Sequence, residues 1–182
     1  MIYNRFLHRA SLVLATWVGV VLLLCCTSFQ SEKINEQTAK ALFVYNFSKH
    51  FEWPAEKKSS KFVIGIYGHA DILNELLGIC YNKKTNEHEI LVTLINSPED
   101  ASECAIVYLP QSQNSQLKTL IAKTKNQGVL IITESPGICS KGSGINIVKK
   151  NNRLAFEINE PAIQLAGLKV SAQLLALGIA VK

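Results

Sequence analysis

Charge is scarce in this chain. Asp, Glu, Lys and Arg make up 18% of its 182 residues, and the net charge is +5. Arg5 and Arg9 supply two of those charges and no acid precedes Glu32, so the rest carries 17 basic and 14 acidic residues, a balance of +3. That is too mild for a nucleic-acid partner, which needs a concentrated basic face. The lysine pairs at 57–58, 83–84 and 149–150 sit among polar residues and read as solvated loops. The letters of a zinc site are missing too: there is no CxxC and no paired Cys/His spacing. GxSxG, P-loop and GxGxxG motifs are absent. Gly142 and Gly144 frame Ser143, but no Lys-Ser/Thr follows, so the segment reads as a flexible loop and not a phosphate cradle. Beyond the leader, His50, His69 and His88 fall in three different segments. No catalytic set, cofactor or metal is expected, and no internal repeat or long linker divides the chain.

What the chain does have begins at its N-terminus. Arg5 and Arg9 stand before an uncharged run from Ala10 to Cys26. A basic end followed by an apolar stretch is the pattern of a secretory signal. The apolar run enters the membrane while the cationic end stays inside. Three fates are open. The leader is cleaved after Thr27–Ser28, lipidated at Cys25 or Cys26, or kept as an anchor, since a span needs roughly 17–25 residues. Each places the body outside the cytoplasm. The expected division is a leader over 1–28 and one α/β domain over 29–182.

That compartment is oxidising, which changes how cysteines read. Cys80, Cys104 and Cys139 belong to the body, so one internal disulfide at most can form. Cys80 with Cys104 is the favoured pair; it would close a loop of about 25 residues and contribute ~3 kcal/mol in the chain-entropy model. The alternative is that each is a small buried apolar side chain.

Residues 35–51 read as a helix with Phe43, Phe47 and Phe51 on one face, stopped by Pro54 after Trp53. Continuous apolar runs at 61–67, 89–95, 105–109 and 129–133 read as strands covered on both faces. They alternate with helical segments at 71–77, ended by Gly78, and at 114–125. The runs at 145–148 and 153–158 flank Asn151–Asn152 and read as a hairpin. Asn159 and Pro161 mark a helical start, and Ser171 caps a last helix. The fold class expected is a single three-layer α/β sandwich. Its sheet is mostly parallel, of about five to six strands, with an antiparallel hairpin at the C-terminal edge.

Individual side chains carry weaker signals. Arg153 and Glu157 share one strand face and read as a surface or edge ion pair. Asp71 reads as a helix cap or solvated acid. If aromatics at the helix end are exposed, Phe51 and Trp53 form a partner surface together with Ile138 in the 136–144 loop; if not, Trp53 packs into the domain. Two further readings are a small-ligand module using the strand ends near Gly68 and His69, and a hydrolase whose nucleophile and base come together only in space.

Two stretches carry a family resemblance. One is Lys40-Ala-Leu-Phe-Val-Tyr-Asn-Phe-Ser-Lys-His-Phe-Glu-Trp-Pro54. The other is Gly142-Ser-Gly-Ile-Asn-Ile-Val148, continued by Asn152-Arg-Leu-Ala-Phe-Glu-Ile-Asn159 and Ala166-Gly-Leu-Lys-Val-Ser-Ala-Gln-Leu-Leu175. Together they resemble the YfiR family of periplasmic proteins across nearly all of residues 35–178. The signature positions are Asn46, Phe47, Glu52, Trp53, Pro54, Gly142, Gly144, Arg153, Glu157 and Asn159, mainly structural in role. One departure is Ser143, which separates two glycines that are adjacent in the family. The resemblance implies an exported regulator without enzymatic activity. It would restrain a membrane-bound diguanylate cyclase by binding its periplasmic sensor region, lowering cyclic di-GMP and biofilm formation. It also implies sequestration by an outer-membrane lipoprotein and a capacity for homodimers. The family's disulfides are tied to stability, but three cysteines cannot supply two internal bridges.

Overall fold

The computed structural model describes residues 35–54, 61–68 and 70–181. The leader expected over 1–28 and His69 lie outside the described residues. Asn35 starts the first helix, α1 (Glu36–Phe47), by accepting the Thr38 N–H at 2.8 Å on its side-chain oxygen. Ala41, Val44 and Phe47 form the buried stripe. The helix stops four residues earlier than its aromatic spacing predicts. Ser48 donates its hydroxyl to the Tyr45 carbonyl at 2.6 Å and the chain turns. Phe51–Glu52 then form a short strand, β1, as the backbone extends toward Pro54. Phe51 therefore leaves the helix face that holds Phe43 and Phe47.

The remaining elements follow in chain order: β2 (Lys61–Tyr67), α2 (Ile72–Cys80), β3 (Lys84–Thr85), β4 (His88–Ile95), β5 (Ile106–Leu109), α3 (Leu117–Thr124), β6 (Leu130–Thr133), β7 (Ile145–Lys150), β8 (Arg153–Ile158), α4 (Glu160–Leu165), β9 (Lys169–Val170), α5 (Ala172–Leu177) and β10 (Ile179–Ala180). Gly78 does not end α2, which runs on to Cys80.

The expected sheet of five to six mostly parallel strands is corrected to a mixed sheet of eight, in the order β10-β8-β7-β6-β5-β2-β4-β3. β4, β2, β5, β6 and β7 run parallel as neighbours. The β7–β8 hairpin is antiparallel, and its turn places Asn151 and Asn152 at φ 49° and 58°, the left-handed pair a tight hairpin requires. The hairpin is not the edge: β10 adds in parallel outside β8. At the opposite end β3 pairs antiparallel with the start of β4. β1 and β9 form a separate two-stranded ladder, with Phe51 opposite Val170. Strands of two residues carry too few side chains to show a period, so β3 and β10 were unreadable in sequence.

Alternation along the strands splits the core between the two sheet faces. Ile64, Ile66, Ile106 and Tyr108 face α1 and α2. Val107, Leu109 and Ile131 face α3 through Leu117 and Leu120. This split overturns the expected disulfide. Cys80 is buried in the first cluster and Cys104 in the second, so the sheet stands between them. Neither is bridged to the other or to Cys139. The Cys104 sulfur lies against Gly65 in mid-strand, where an added Cβ would stand only 2.6 Å away. Glycine weakens a strand interior, and here it is the residue that lets the thiol fit.

Candidate functional site

The first signature segment builds core. Phe47, 2% exposed, packs edge-on against Phe156 at 5.1 Å. Trp53 packs edge-on against Phe62 at 4.9 Å and donates its indole N–H to the Ala105 carbonyl at 3.2 Å. Phe51 and Ile138, two of the proposed partner anchors, are 4% and 5% exposed. They are core side chains, which a partner cannot reach without unfolding the region. Trp53 and Pro54 are half-buried, while Asn46 and Glu52 are exposed; Glu52 stands 3.7 Å from Lys169.

The second signature segment shapes a surface. Asn159 caps α4 by accepting the Ala162 N–H at 3.0 Å, and its side-chain amide donates to the Cys139 carbonyl at 2.9 Å. The Asn159 N–H donates to the Gly144 carbonyl, and the Gly144 N–H to the Ile131 carbonyl. One side chain thus ties the glycine loop to the helix after the hairpin. Gly142 has φ 110° and would press an added Cβ to 2.8 Å from Ile121; a Cβ on Gly144 would meet Leu130 at 2.8 Å. Removing both side chains lets this loop lie directly on β6 and α3.

Behind the loop sits a network of buried polar groups. Thr133 donates to Asn146 and lies 2.9 Å from the Ser143 hydroxyl. Asn146 accepts the Ser135 N–H at 3.0 Å and donates to the Ser135 carbonyl and to Glu157 at 2.9 and 2.7 Å. Glu157 thus takes Asn146 as its partner, and the expected Arg153–Glu157 pair is not among the ion pairs of the described residues. Four strand residues span about 13 Å, too far for a direct contact without long reaches from both side chains.

The loop, α3 and α4 enclose a cleft of about 320 Å³ lined by Ile121, Leu130, Ile163 and Leu165. Lys125 and Lys141 stand exposed on its lining, and Leu165 is 54% exposed. Chemically it is an apolar slot with a cationic rim, suited to a large apolar side chain next to an acidic group. Sequence reading singled out Gly142, Gly144 and Asn159 but missed Ile121, Lys125, Ile163 and Leu165. Only their meeting in space gives them a common role.

A second hollow, also about 320 Å³, is polar and lies near the strand ends, lined by Lys40, Asp71, Tyr108, Gln111 and Glu134 among others. Glu134 accepts from Lys40 at 2.9 Å, from Tyr108 at 2.6 Å and from the Gln111 N–H at 3.2 Å. Burial and then the Glu134 charge push the Tyr108 hydroxyl far above its ordinary range. Burial disfavours the Lys40 charge, but the bond and charge of Glu134, with Glu36 beside it, win and raise its pKa. Asp71 stands exposed at the start of α2 and makes no side-chain cap bond.

Burial pushes the Cys80 thiol up to about 11 and the Cys139 thiol, with Glu157 adding to the effect, up to about 12. Both stay protonated at neutral pH and are poor nucleophiles. His50 Nδ1 meets the Ser171 hydroxyl at 3.2 Å, but that hydroxyl also accepts the Leu174 N–H as the cap of α5. Among the described residues no group of three or more His, Cys, Asp or Glu is arranged to hold a metal ion, and no helix is long and apolar enough to cross a membrane.

Compared with known proteins, the chain matches a family model described as YfiR/HmsC-like over residues 37–179. No curated protein matches it.

Proposed function

The chain belongs to the YfiR/HmsC-like family, and from that premise we propose that it is an exported regulator that restrains a membrane-bound diguanylate cyclase, or a related sensor, by binding its periplasmic region. The family supports regulation by protein contact and not by bond-making. The observation that carries the reading to a place on this chain is the cleft behind Gly142 and Gly144. Two family-signature glycines and Asn159 hold it in shape, and its lining is apolar with Lys125 and Lys141 exposed. The occupant is an apolar side chain of the receptor flanked by a carboxylate. Restraint follows if the receptor presents that side chain only in its inactive state, because a ligand shifts an equilibrium only by its differential affinity. A tenfold bias needs about 1.4 kcal/mol.

The working compartment is the periplasm. Cleavage, lipidation and retention of the leader are all compatible with docking onto a receptor there, and an outer-membrane lipoprotein that competes for the chain would relieve the restraint. A photo-crosslinking residue at position 165, activated in living cells, tests the site. The expected product is an adduct with the periplasmic region of an inner-membrane cyclase or sensor. Adducts at position 52, on the opposite signature segment, with none at position 165 would move the docking surface elsewhere.

The second reading, a small-ligand module, has the polar hollow in its favour. Glu134 there already accepts three hydrogen bonds from the protein itself, which leaves a ligand little to bind. His69, the other residue of that reading, lies outside the described residues.

A further inference from the structure

The outer side of β4 is an open row of backbone beside an uncovered apolar flank. β3 fills only the start of that row: Lys84 and Thr85 pair with Glu89 and His88, and the Ile90 N–H donates to the Lys83 carbonyl at 3.0 Å. Past Ile90 no described strand pairs with this side. Along a strand, backbone groups point to alternate sides. Ile90 bonds outward to Lys83, and the Ile95 carbonyl bonds inward to Gly68. The N–H and C=O groups of Val92 and Leu94 therefore point outward. Among the described residues their one side-chain contact is the Thr93 hydroxyl, 3.4 Å from the Leu94 carbonyl. Beside them runs α2. Glu75 turns one flank of α2 to Thr38 of α1, bonded at 2.8 Å, so Leu73 and Leu77, on the opposite flank by helical spacing, face the β4 edge. Val92 and Leu94 point to the same sheet face as Ile90, which is buried in the cluster under α1 and α2. Leu77 and Leu94 are 45% and 43% exposed. Edges of this kind are normally blunted by lysine, proline or a bulge, yet Leu91-Val-Thr-Leu-Ile95 has no charge, proline or glycine.

We propose that an extended segment of another protein adds to this edge in line with β3, antiparallel to β4. Two of its residues, opposite Val92 and Leu94, each exchange a pair of hydrogen bonds with β4, four in all. The side chains of those two residues stand on the α2 face, against Leu77 and Leu94. A charge at either position would be pressed against leucine and lose its water, so the segment is uncharged and apolar at alternate positions. The charges at the two ends of the row do not select one sign. Lys83 and Lys84 stand with Glu87 and Glu89 at the β3 end. Past Ile95, Glu99 is answered by Lys123 at 2.8 Å and Asp100 accepts the Ser97 N–H. Main-chain pairing and apolar contact therefore supply the affinity. A second copy of β4 is a poorer occupant. Antiparallel about Thr93, its Asn96 would run into the row that Lys83 fills, and its Glu99 and Asp100 would follow toward Glu87 and Glu89. A segment that ends or turns away after five residues meets neither obstacle. The site is separate from the cleft and does not rest on the regulatory reading.

Titration of the purified protein, processed as its host processes it, with the capped peptide acetyl-Lys-Val-Thr-Val-Thr-Val-Lys-amide tests the edge by amide NMR. The expected result is a shift of the Val92 and Leu94 amides. The same peptide N-methylated at its three valines cannot donate to the edge, and its dissociation constant is higher by more than about tenfold. Leu94→Pro has the same effect on the unmethylated peptide. It removes one outward N–H from an edge strand, where proline leaves the inward ladder intact. Leu94→Val keeps the donor and an apolar side chain and leaves the constant within about threefold. Amides of Val92 and Leu94 that do not move up to the solubility limit of the peptide overturn the proposal. So does equal binding of the methylated peptide, or a shift confined to Ile121 and Ile163 in the cleft. Movement of the two edge amides on concentrating the protein alone would assign the edge to a second copy and overturn it as well. Circular dichroism checks that each variant is folded, and the methylated peptide tests the same bonds with the chain unaltered.

Discussion

At one flank of the sheet Asn146 and Asn159 bond the glycine loop to β6, β8 and α4, spending side chains to satisfy the backbone. At the other flank Val92 and Leu94 turn their backbone groups outward and no described strand meets them. The first flank is finished within the chain and keeps a cleft beside it; the second leaves strand backbone groups that no described strand meets. A buried amide in a satisfied network is costly to remove. An exposed edge costs the fold little to alter, but it governs what the molecule associates with. Damage at the β6–β8 flank should therefore appear as lost stability, and damage at the β4 edge as lost association.

The largest expected break in that contrast is Asn146→Ala. It strands the Ser135 N–H and C=O together with Glu157, and costs about 3 kcal/mol, read as a lower denaturant midpoint in chemical unfolding. Gly144→Ala comes next. Its new methyl group would sit 2.8 Å from Leu130 and 3.1 Å from Ile163, an overpacking cost of about 1–3 kcal/mol that also narrows the cleft. An increase in thermal midpoint for this variant would show that the loop has more room than the cleft geometry allows.

Alkaline pH sharpens the comparison because each flank buries a thiol. The ordinary thiol value of 9.0 is raised in the fold to about 11 for Cys80 and about 12 for Cys139. A raised value means the folded chain holds the proton more tightly, so this stability is fully present below pH 9 and falls as pH rises through the folded values. Each group adds a slope of about 1.4 kcal/mol per pH unit inside its window. Tyr108, also raised, adds its own loss from about pH 10 upward. Cys139→Ala should flatten the decline between pH 9 and 12 in urea midpoints measured against the parent. The smallest effect on stability is that of Leu165→Glu, within about 0.5 kcal/mol, because the side chain is 54% exposed. If that variant unfolds the chain, the separation of fold from function at the cleft fails.

The main strands and helices were legible because long apolar runs and Asn or Ser caps act locally: Asn159 and Ser171 each accept a helix N–H as expected, and Asn35, expected inside the first helix, turns out to cap it. The misses share a cause. Phe51 continues the four-residue aromatic spacing, yet β9, more than a hundred residues later, pulls it into a ladder. Cys80 and Cys104 look paired along the chain, but strand alternation sends them to opposite sheet faces. Of the cleft, only the glycines and the cap were visible, because a glycine or an asparagine advertises backbone geometry. Ile163 and Leu165 read as ordinary helix residues until α3 is placed beside them.

The central claim is that this protein restrains a cyclase by docking through the cleft at Leu165. Cyclic di-GMP measured in cells lacking the gene and complemented in turn by the wild type, Leu165→Glu and Leu177→Glu tests it most directly. The account predicts low nucleotide with the wild type and with Leu177→Glu, and the high level of the deletion strain with Leu165→Glu at equal protein abundance. Nucleotide that stays low with Leu165→Glu, or that never responds to the wild type, would contradict it.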